Sequence, residues 1–153
     1  MTLQTRARPI PVLPLVGKPP CMIVVQYILP ALRVAIAREL AKEYGLKKTK
    51  VAQMMEVTPA AVTQYLNSSR GDHASNVIEG SSKVRGLVSE IANNLAVEET
   101  APDVLLMKVC KACHTIRTEE LICELHKEAM PSLKKIESCA CSFGLAAWDR
   151  ANK

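Results

Sequence analysis

The chain has 153 residues, of which 48% are hydrophobic and only 3% aromatic, enough for one helical domain with its own core or for two small modules. No uninterrupted apolar run is long enough for a membrane span and no signal peptide is apparent, so we expect a cytoplasmic protein with no membrane partner. The net charge of +5 is uneven, because residues 21–70 carry seven basic and three acidic residues while residues 71–153 carry ten and twelve, so only the front half suits a polyanion.

Residues 1–17 are expected to form a disordered N-terminal arm, because Pro9, Pro11 and Pro14 interrupt every short pattern. The apolar stretch between residues 21 and 30 fits a short strand or the first turn of a helix equally well. After Pro30, apolar residues recur every four positions, which predicts a helix that Gly45 ends as a C-cap. That apolar face consists of Leu32, Ile36, Leu40 and Tyr44.

Two short helices with a sharp turn between them are predicted over residues 47–67. Thr58 is a good N-cap for the second helix, and Pro59 occupies its first position, where a missing N–H is tolerated. A small residue, Ala52, suits a close crossing of the two helices, and Val57 fills the corner under the turn. The shared apolar face is completed by Val51, Met55, Val62, Tyr65 and Leu66. This pattern is typical of a DNA-binding helix-turn-helix.

The exposed face of the second helix carries short and amide side chains that suit base edges and thymine methyls in a major groove. Basic side chains flank it and suit phosphates. The predicted contacts to double-stranded DNA are Lys47, Lys48, Lys50, Thr58, Pro59, Ala60, Thr63, Gln64 and Arg70. Residues 18–70 are therefore interpreted as the DNA-binding domain.

The run "VAQMMEVTPAAVTQYLNSSRG" resembles the lambda-repressor/Cro-like helix-turn-helix family over roughly residues 30–70. One departure is Glu56, which stands at the turn position that the family usually fills with glycine. Over roughly residues 18–145, "PPC", "VVQYILPALRVAIARELAKEYGL" and the Cys-rich tail resemble a family of archaeal predicted transcription regulators. That resemblance implies DNA binding, and a metal or cluster in the tail.

The second half is predicted to begin with a polar linker over residues 71–81. An amphipathic helix follows over residues 82–97, and its apolar stripe serves either as the interface of a homodimer or as intramolecular core. A further helix is expected to start with Thr100 as its cap and to lead into Cys110, and Thr118 is expected to cap another that stops at Pro131. With no convincing strand after residue 30, the fold class is mostly α.

Residues 98–153 form a Cys-rich module with the spacing C-x2-C-x9-C-x15-C-x-C. Thiolates at this density in a cytoplasmic chain indicate a metal site, whose candidate ligands are Cys110, Cys113, Cys123, Cys139 and Cys141. The single C-x2-C pair in helical surroundings favours an iron–sulfur cluster, 4Fe–4S before 2Fe–2S, over zinc. Cys110, Cys113 and Cys123 are the firm ligands, and Cys141 is preferred to Cys139 as the fourth.

Two histidines and the sixth cysteine are not expected to bind the metal. His114 and His126 lie close to the ligands in sequence, but each is expected to be exposed or hydrogen-bonded rather than bound to metal. Cys21, far upstream, is expected to be a buried packing residue.

The sequence therefore predicts a transcription regulator whose operator affinity is controlled by a Cys-ligated iron–sulfur cluster acting as a redox, oxidant or iron sensor. One alternative is a helix-turn-helix repressor that zinc merely stabilises. Another is a small redox or electron-carrier protein whose helical part binds protein. Because no phosphate loop, H-E-x-x-H motif or nucleophile pair is evident, no enzymatic activity is expected.

Overall fold

The computed structural model describes residues 17–68, 73–97 and 100–136, and these are helical with no β-strand among them. The mostly α class is therefore confirmed for this part of the chain. The predictions for residues 1–16, for Arg70 and for Cys139 and Cys141 lie outside it.

The first helical stretch settles the ambiguity of residues 21–30 in favour of helix. It consists of α1 (Pro20–Ile23), a π-helical turn (Val24–Ile28) and α2 (Leu29–Lys42). In a regular α-helix the ring of Pro30 would clash with the carbonyl four residues earlier. The turn before it is wider, and the Leu29 N–H donates to the Val24 oxygen five residues back. The helical stretch therefore continues through Pro30, although a proline at such a position usually ends a helix.

This stretch, Pro20–Lys42, is the one helix in the described part long and apolar enough to cross a membrane, a condition that the core helix of a soluble protein also meets. Its apolar face is internal, since Ile28, Leu32 and Leu40 are each at most 1% exposed. Gly45 ends the stretch with a φ of +61°, as expected of a C-cap, and the Leu46 N–H donates to the Leu40 oxygen over 3.2 Å.

The two short helices predicted over residues 47–67 are present as α3 (Lys48–Met54) and α4 (Pro59–Asn67), both packed against α2. The expected linker is wrong over most of its length, because α5 (His73–Gly80) is a helix that packs on α2 and α6. The segment is polar and contains glycine, so its apolar pattern is weak in the sequence. Its apolar residues Ala74, Val77 and Ile78 are nevertheless spaced for one helical face and are buried.

The predicted helix over residues 82–97 is present as α6 (Ser82–Val97). Its apolar stripe is intramolecular core, because α6 packs between α2 and α7. The buried members are Val84, Leu87, Val88, Ile91 and Ala92.

The C-terminal part begins with α7 (Pro102–Thr118), followed by α8 (Cys123–Ala129) and a short 3-10 helix (Pro131–Lys135). Both predicted caps are wrong. Ala101 occupies the N-cap position of α7, while the Thr100 hydroxyl accepts a bond from Asn94. Thr118 is the last residue of α7, and its hydroxyl donates back to the His114 carbonyl. In each case the threonine hydroxyl bonds to a nearby side-chain amide or carbonyl group and not to the N–H groups at the start of a helix.

Candidate nucleic-acid interface and cysteine site

The turn between α3 and α4 contains a residue in a backbone conformation that favours glycine. Glu56 has a φ of +52°, in the left-handed region that L side chains seldom occupy. The Val57 N–H then donates to the Ala52 oxygen over 3.0 Å, so the chain reverses immediately after α3. Four residues, 55–58, separate the helices, where the sequence indicated a shorter connection.

The start of α4 is capped as predicted. Thr58 has an extended backbone, and its hydroxyl oxygen accepts the Ala61 N–H over 3.1 Å. Pro59 is the first residue of the helix, where its missing N–H leaves no bond unmade. Cap and proline together fix the residue at which α4 begins, and hence the rotation of its exposed face.

The apolar corner between the two helices is also as predicted. Val51, Ala52 and Val62 are at most 2% exposed, and the side chains around them are partly buried. Those neighbours are Met55, Val57, Tyr65 and Leu66. The angle between α3 and α4 is therefore fixed by packing.

The predicted DNA-contacting residues lie mainly on the exposed side of this unit. The exposed ones are Lys47, Lys48, Thr58, Pro59, Ala60 and Gln64. Lys50 and Thr63 are half-buried. The Thr63 hydroxyl donates to the Pro59 carbonyl over 3.1 Å, so Gln64 is the side chain better placed to donate bonds to a base edge.

Sequence reasoning missed Arg38, which joins α2 to the end of α4. Its guanidinium donates to the Ser68 carbonyl and lies 3.4 Å from the Ser68 hydroxyl. The Ser68 hydroxyl in turn donates to the Tyr65 carbonyl over 2.8 Å. Nothing in the sequence singles out this arginine, because α2 also carries Arg33, Glu39 and Lys42.

The C-x2-C pair lies in the middle of the helix α7, in agreement with the helical surroundings that the sequence indicated. Cys110 and Cys113 are both in α7, three residues apart and so on one face, and both thiols are free. Cys110 is exposed. Cys113 is half-buried against the core, and this burial raises the pKa of its thiol above the ordinary value.

Cys123, the first residue of α8, is disulfide-bonded, and its partner lies outside the described residues. A sulfur held in a disulfide has no thiolate to offer a metal. It becomes a ligand only after a two-electron reduction, which a dithiol achieves while itself becoming a disulfide.

The N-terminal end of the described chain lies against this region. α1 contacts α8, and the His126 Nε2 donates to the Lys18 carbonyl over 2.5 Å. His126 is only 4% exposed, so the prediction of a hydrogen-bonded histidine is confirmed, and His114 is exposed as expected. The prediction that Cys21 is buried is wrong, because it faces solvent. Its neighbours Met22 and Val25 are exposed as well, and Ile23 carries the packing of α1.

Within the described residues, no three His, Cys, Asp or Glu side chains are grouped so as to hold one metal ion. The donor types are nevertheless those that zinc or an iron–sulfur cluster uses. Arg117, one turn beyond Cys113 on α7, places positive charge near that thiol, and its buried Nε has no hydrogen-bond partner among the described residues.

Compared with known proteins, the chain matches no protein-family model, no curated protein and no solved structure.

Proposed function

We propose that this protein is a DNA-binding transcription regulator whose operator affinity depends on a thiolate-bound iron–sulfur centre in its C-terminal half. The observation that carries the DNA-binding part is the unit formed by α3, the left-handed turn at Glu56 and the capped helix α4. In this proposal the unit is a helix-turn-helix of the lambda-repressor/Cro-like kind, and the whole chain is a regulator like the archaeal ones with a Cys-rich tail.

In this proposal α4 lies in the major groove. Gln64 is exposed in the second turn of α4, and an amide can make two bonds to an adenine edge. Ala60 offers a methyl group to thymine. Lys47 and Lys48 are exposed at the start of α3 and meet phosphates.

The proposed sensor uses Cys110, Cys113 and Cys123 together with a fourth ligand. It requires the reduced form of Cys123, which the cytoplasm favours. The regulator acts as a homodimer on a two-fold operator. Because the apolar stripe of α6 is buried, the proposed dimer interface lies on another surface. The apolar side chains of α7 that remain exposed are Val104, Leu106 and Met107.

Selection of bound sequences from random duplex DNA, with the reduced full chain, tests the DNA-binding part. Gln64→Ala should weaken binding to the selected site by about 1–3 kcal/mol and relax its sequence preference. Lys48→Ala should weaken binding to all sequences alike and flatten the dependence on salt.

Gln53→Ala is the matched control, since this exposed glutamine lies on α3 and outside the proposed interface. It should leave both affinity and preference unchanged. A chain that selects no sequence, or a Gln64→Ala variant with an unaltered preference, would contradict the assignment of α4. Protein binding in place of DNA binding would favour the small redox carrier.

A further inference from the structure

We propose that the cleft between α2, α5 and α6 binds an apolar α-amino acid by its ammonium group, its carboxylate and its side chain. The cleft has a volume of about 610 Å³, within the range of about 300–1,000 Å³ that is usual for small-molecule sites. The effect of this ligand on DNA binding rests on the proposed function, whereas its binding to the cleft does not.

The first support is the change in polarity of the cleft along α2. At one end α2 lines it with the apolar side chains Ala31, Val34 and Ala35. At the other end α2 lines it with cations and carboxylates, which are Arg38, Glu39, Lys42 and Glu43. With a rise of about 1.5 Å per residue, Ala35 and Glu39 lie about 6 Å apart along the helix axis. One amino acid can therefore contact both ends.

The walls formed by α5 and α6 show the same division. Ile78 and Val88 line the cleft and are at most 4% exposed, whereas Glu79 and Arg85 line it as exposed charges. The cleft thus has an apolar floor below a rim that carries both signs of charge. A simple organic acid would bring its negative charge close to the carboxylates of the rim. A ligand with an ammonium group as well as a carboxylate suits both kinds of side chain.

The second support is that these charged groups are available to a ligand. Within the described residues none of the charged side chains that line the cleft forms an ion pair. Arg38 donates to Ser68 through one terminal nitrogen, which leaves the rest of the guanidinium for another acceptor. A ligand can therefore pair with the rim without first breaking a salt bridge.

The third support is Gly86, which lines the cleft from the interior of α6. Glycine is less favourable than alanine inside a helix. A Cβ at Gly86 would have no heavy atom within 4 Å, and its φ lies outside the left-handed region. Neither close packing nor backbone conformation therefore requires glycine here. The missing side chain does keep this part of the cleft open.

The ligand would act on DNA binding through Arg38. This guanidinium lines the cleft and also donates to the Ser68 carbonyl at the end of α4. A carboxylate in the cleft is charged and so is a stronger acceptor than that carbonyl. Ligand binding would draw Arg38 from Ser68, loosen the end of α4 and lower the affinity for DNA.

Isothermal titration calorimetry of the full chain with L-leucine, L-methionine and L-phenylalanine tests the site. At least one of them should bind with a dissociation constant below about 1 mM. Analogues of the tightest ligand that lack either charged group should bind roughly ten-fold more weakly. For leucine these analogues are 4-methylpentanoate, without the ammonium group, and 3-methylbutylamine, without the carboxylate.

Two substitutions place the ligand in the cleft. Gly86→Leu should abolish binding by filling the cleft, with a thermal midpoint no lower than that of the wild type. Gly80→Leu is its matched control, because Gly80 is a glycine of α5 with equally open surroundings and does not line the cleft. Arg85→Gln should weaken binding roughly ten-fold. Arg33→Gln, which removes an exposed cation of α2 outside the cleft, should not.

Three results would overturn the inference: no binding of any of the three amino acids, unchanged binding in Gly86→Leu, or equal binding of the analogue without the ammonium group. The bound amino acid should also lower the affinity for the selected DNA roughly three-fold or more. Binding without that change would overturn the regulatory step alone. A chain that selects no DNA sequence would contradict the proposed function, while the calorimetry would still decide whether the cleft is a ligand site.

Discussion

Glu56 occupies a backbone conformation that glycine adopts without strain, because its φ of +52° brings Cβ towards the following carbonyl. The left-handed region costs a non-glycine residue about 1–2 kcal/mol. Glycine itself adds an entropic cost of about 0.5–1 kcal/mol, because its unfolded chain is freer. The balance favours glycine at this turn.

Glu56→Gly should therefore raise the free energy of unfolding by roughly 0.5–1 kcal/mol, the difference between those two costs. Urea unfolding followed by circular dichroism measures it. Glu56→Ala is the control, since it removes the carboxylate but keeps Cβ, and it should give no gain. If alanine stabilises as much as glycine, the charge of Glu56 and not its φ is the unfavourable feature.

At the scale of elements, α6 and α7 are joined by a polar contact at their ends. Glu119 follows α7, and its carboxylate accepts a bond from the Ser81 hydroxyl and pairs with Lys83, each over 3.0 Å. Ser81 also accepts the Val84 N–H over 3.3 Å, so it caps α6. Lys83 and then Ser81 hold the pKa of Glu119 below its ordinary value.

This contact should make stability depend on pH in a defined direction. Because the pKa of Glu119 is lower in the folded chain, its contribution is present above the unfolded pKa and is lost as the pH falls through the folded one. Glu119→Gln should thus lower the thermal midpoint at pH 7 but hardly at pH 3. Thermal scans across this range measure the difference.

Glu124→Gln is the control, because Glu124 is an exposed carboxylate whose 3.6 Å contact with Lys127 stays within one helix. Its effect should be smaller at every pH. A loss of stability in Glu119→Gln that is equal at pH 3 and pH 7 would mean that the charge is not what joins the two helices.

Apolar periodicity was sufficient to predict α2, α4 and α6, where several apolar residues recur at helical spacing. It failed for α5, because three buried residues among serine, glycine and charge give too weak a pattern. The caps of α7 and α8 failed for another reason. Thr100 and Thr118 have the right residue type, but each hydroxyl bonds to a nearer local group, the Asn94 amide or the His114 carbonyl.

The cysteine region exposed the same limit. Sequence spacing identified the C-x2-C pair and Cys123, since neighbours along the chain are visible in it. It gave no sign that α1, which carries Cys21, docks on α8, because that contact arises only in the folded chain. The resemblance marked Glu56 as a position that usually holds glycine, but the left-handed φ of +52° is seen only in the structure.

At the scale of the whole molecule, one continuous core joins α3 and α4 to the helices α7 and α8 that carry cysteines. It extends from Ile23 in α1 to Leu125 in α8 and includes residues of every α-helix between them. Such a core couples the unfolding of its parts. The sequence alone indicated separable modules, because it does not show which apolar faces meet.

Unfolding of the described part should accordingly be a single transition. Ile78→Ala in α5 and Ile116→Ala in α7 should each lower its midpoint, at a cost of about 2–5 kcal/mol. Calorimetry should give equal calorimetric and van't Hoff enthalpies. Glu79→Ala, an exposed neighbour of Ile78, is the control and should change little. Two resolved transitions, each moved by only one of the isoleucine variants, would show that the halves unfold separately.

The bond between Lys18 and His126 also has a consequence for biosynthesis. The ribosome releases Lys18 early, and 108 residues separate it from its partner. During that interval α2, α3 and α4 have all been synthesised and can pack against one another, whereas α8, on which α1 docks, has not yet been made. The nascent chain therefore packs α2, α3 and α4 together first, and docking of the N-terminal segment is among its last folding events.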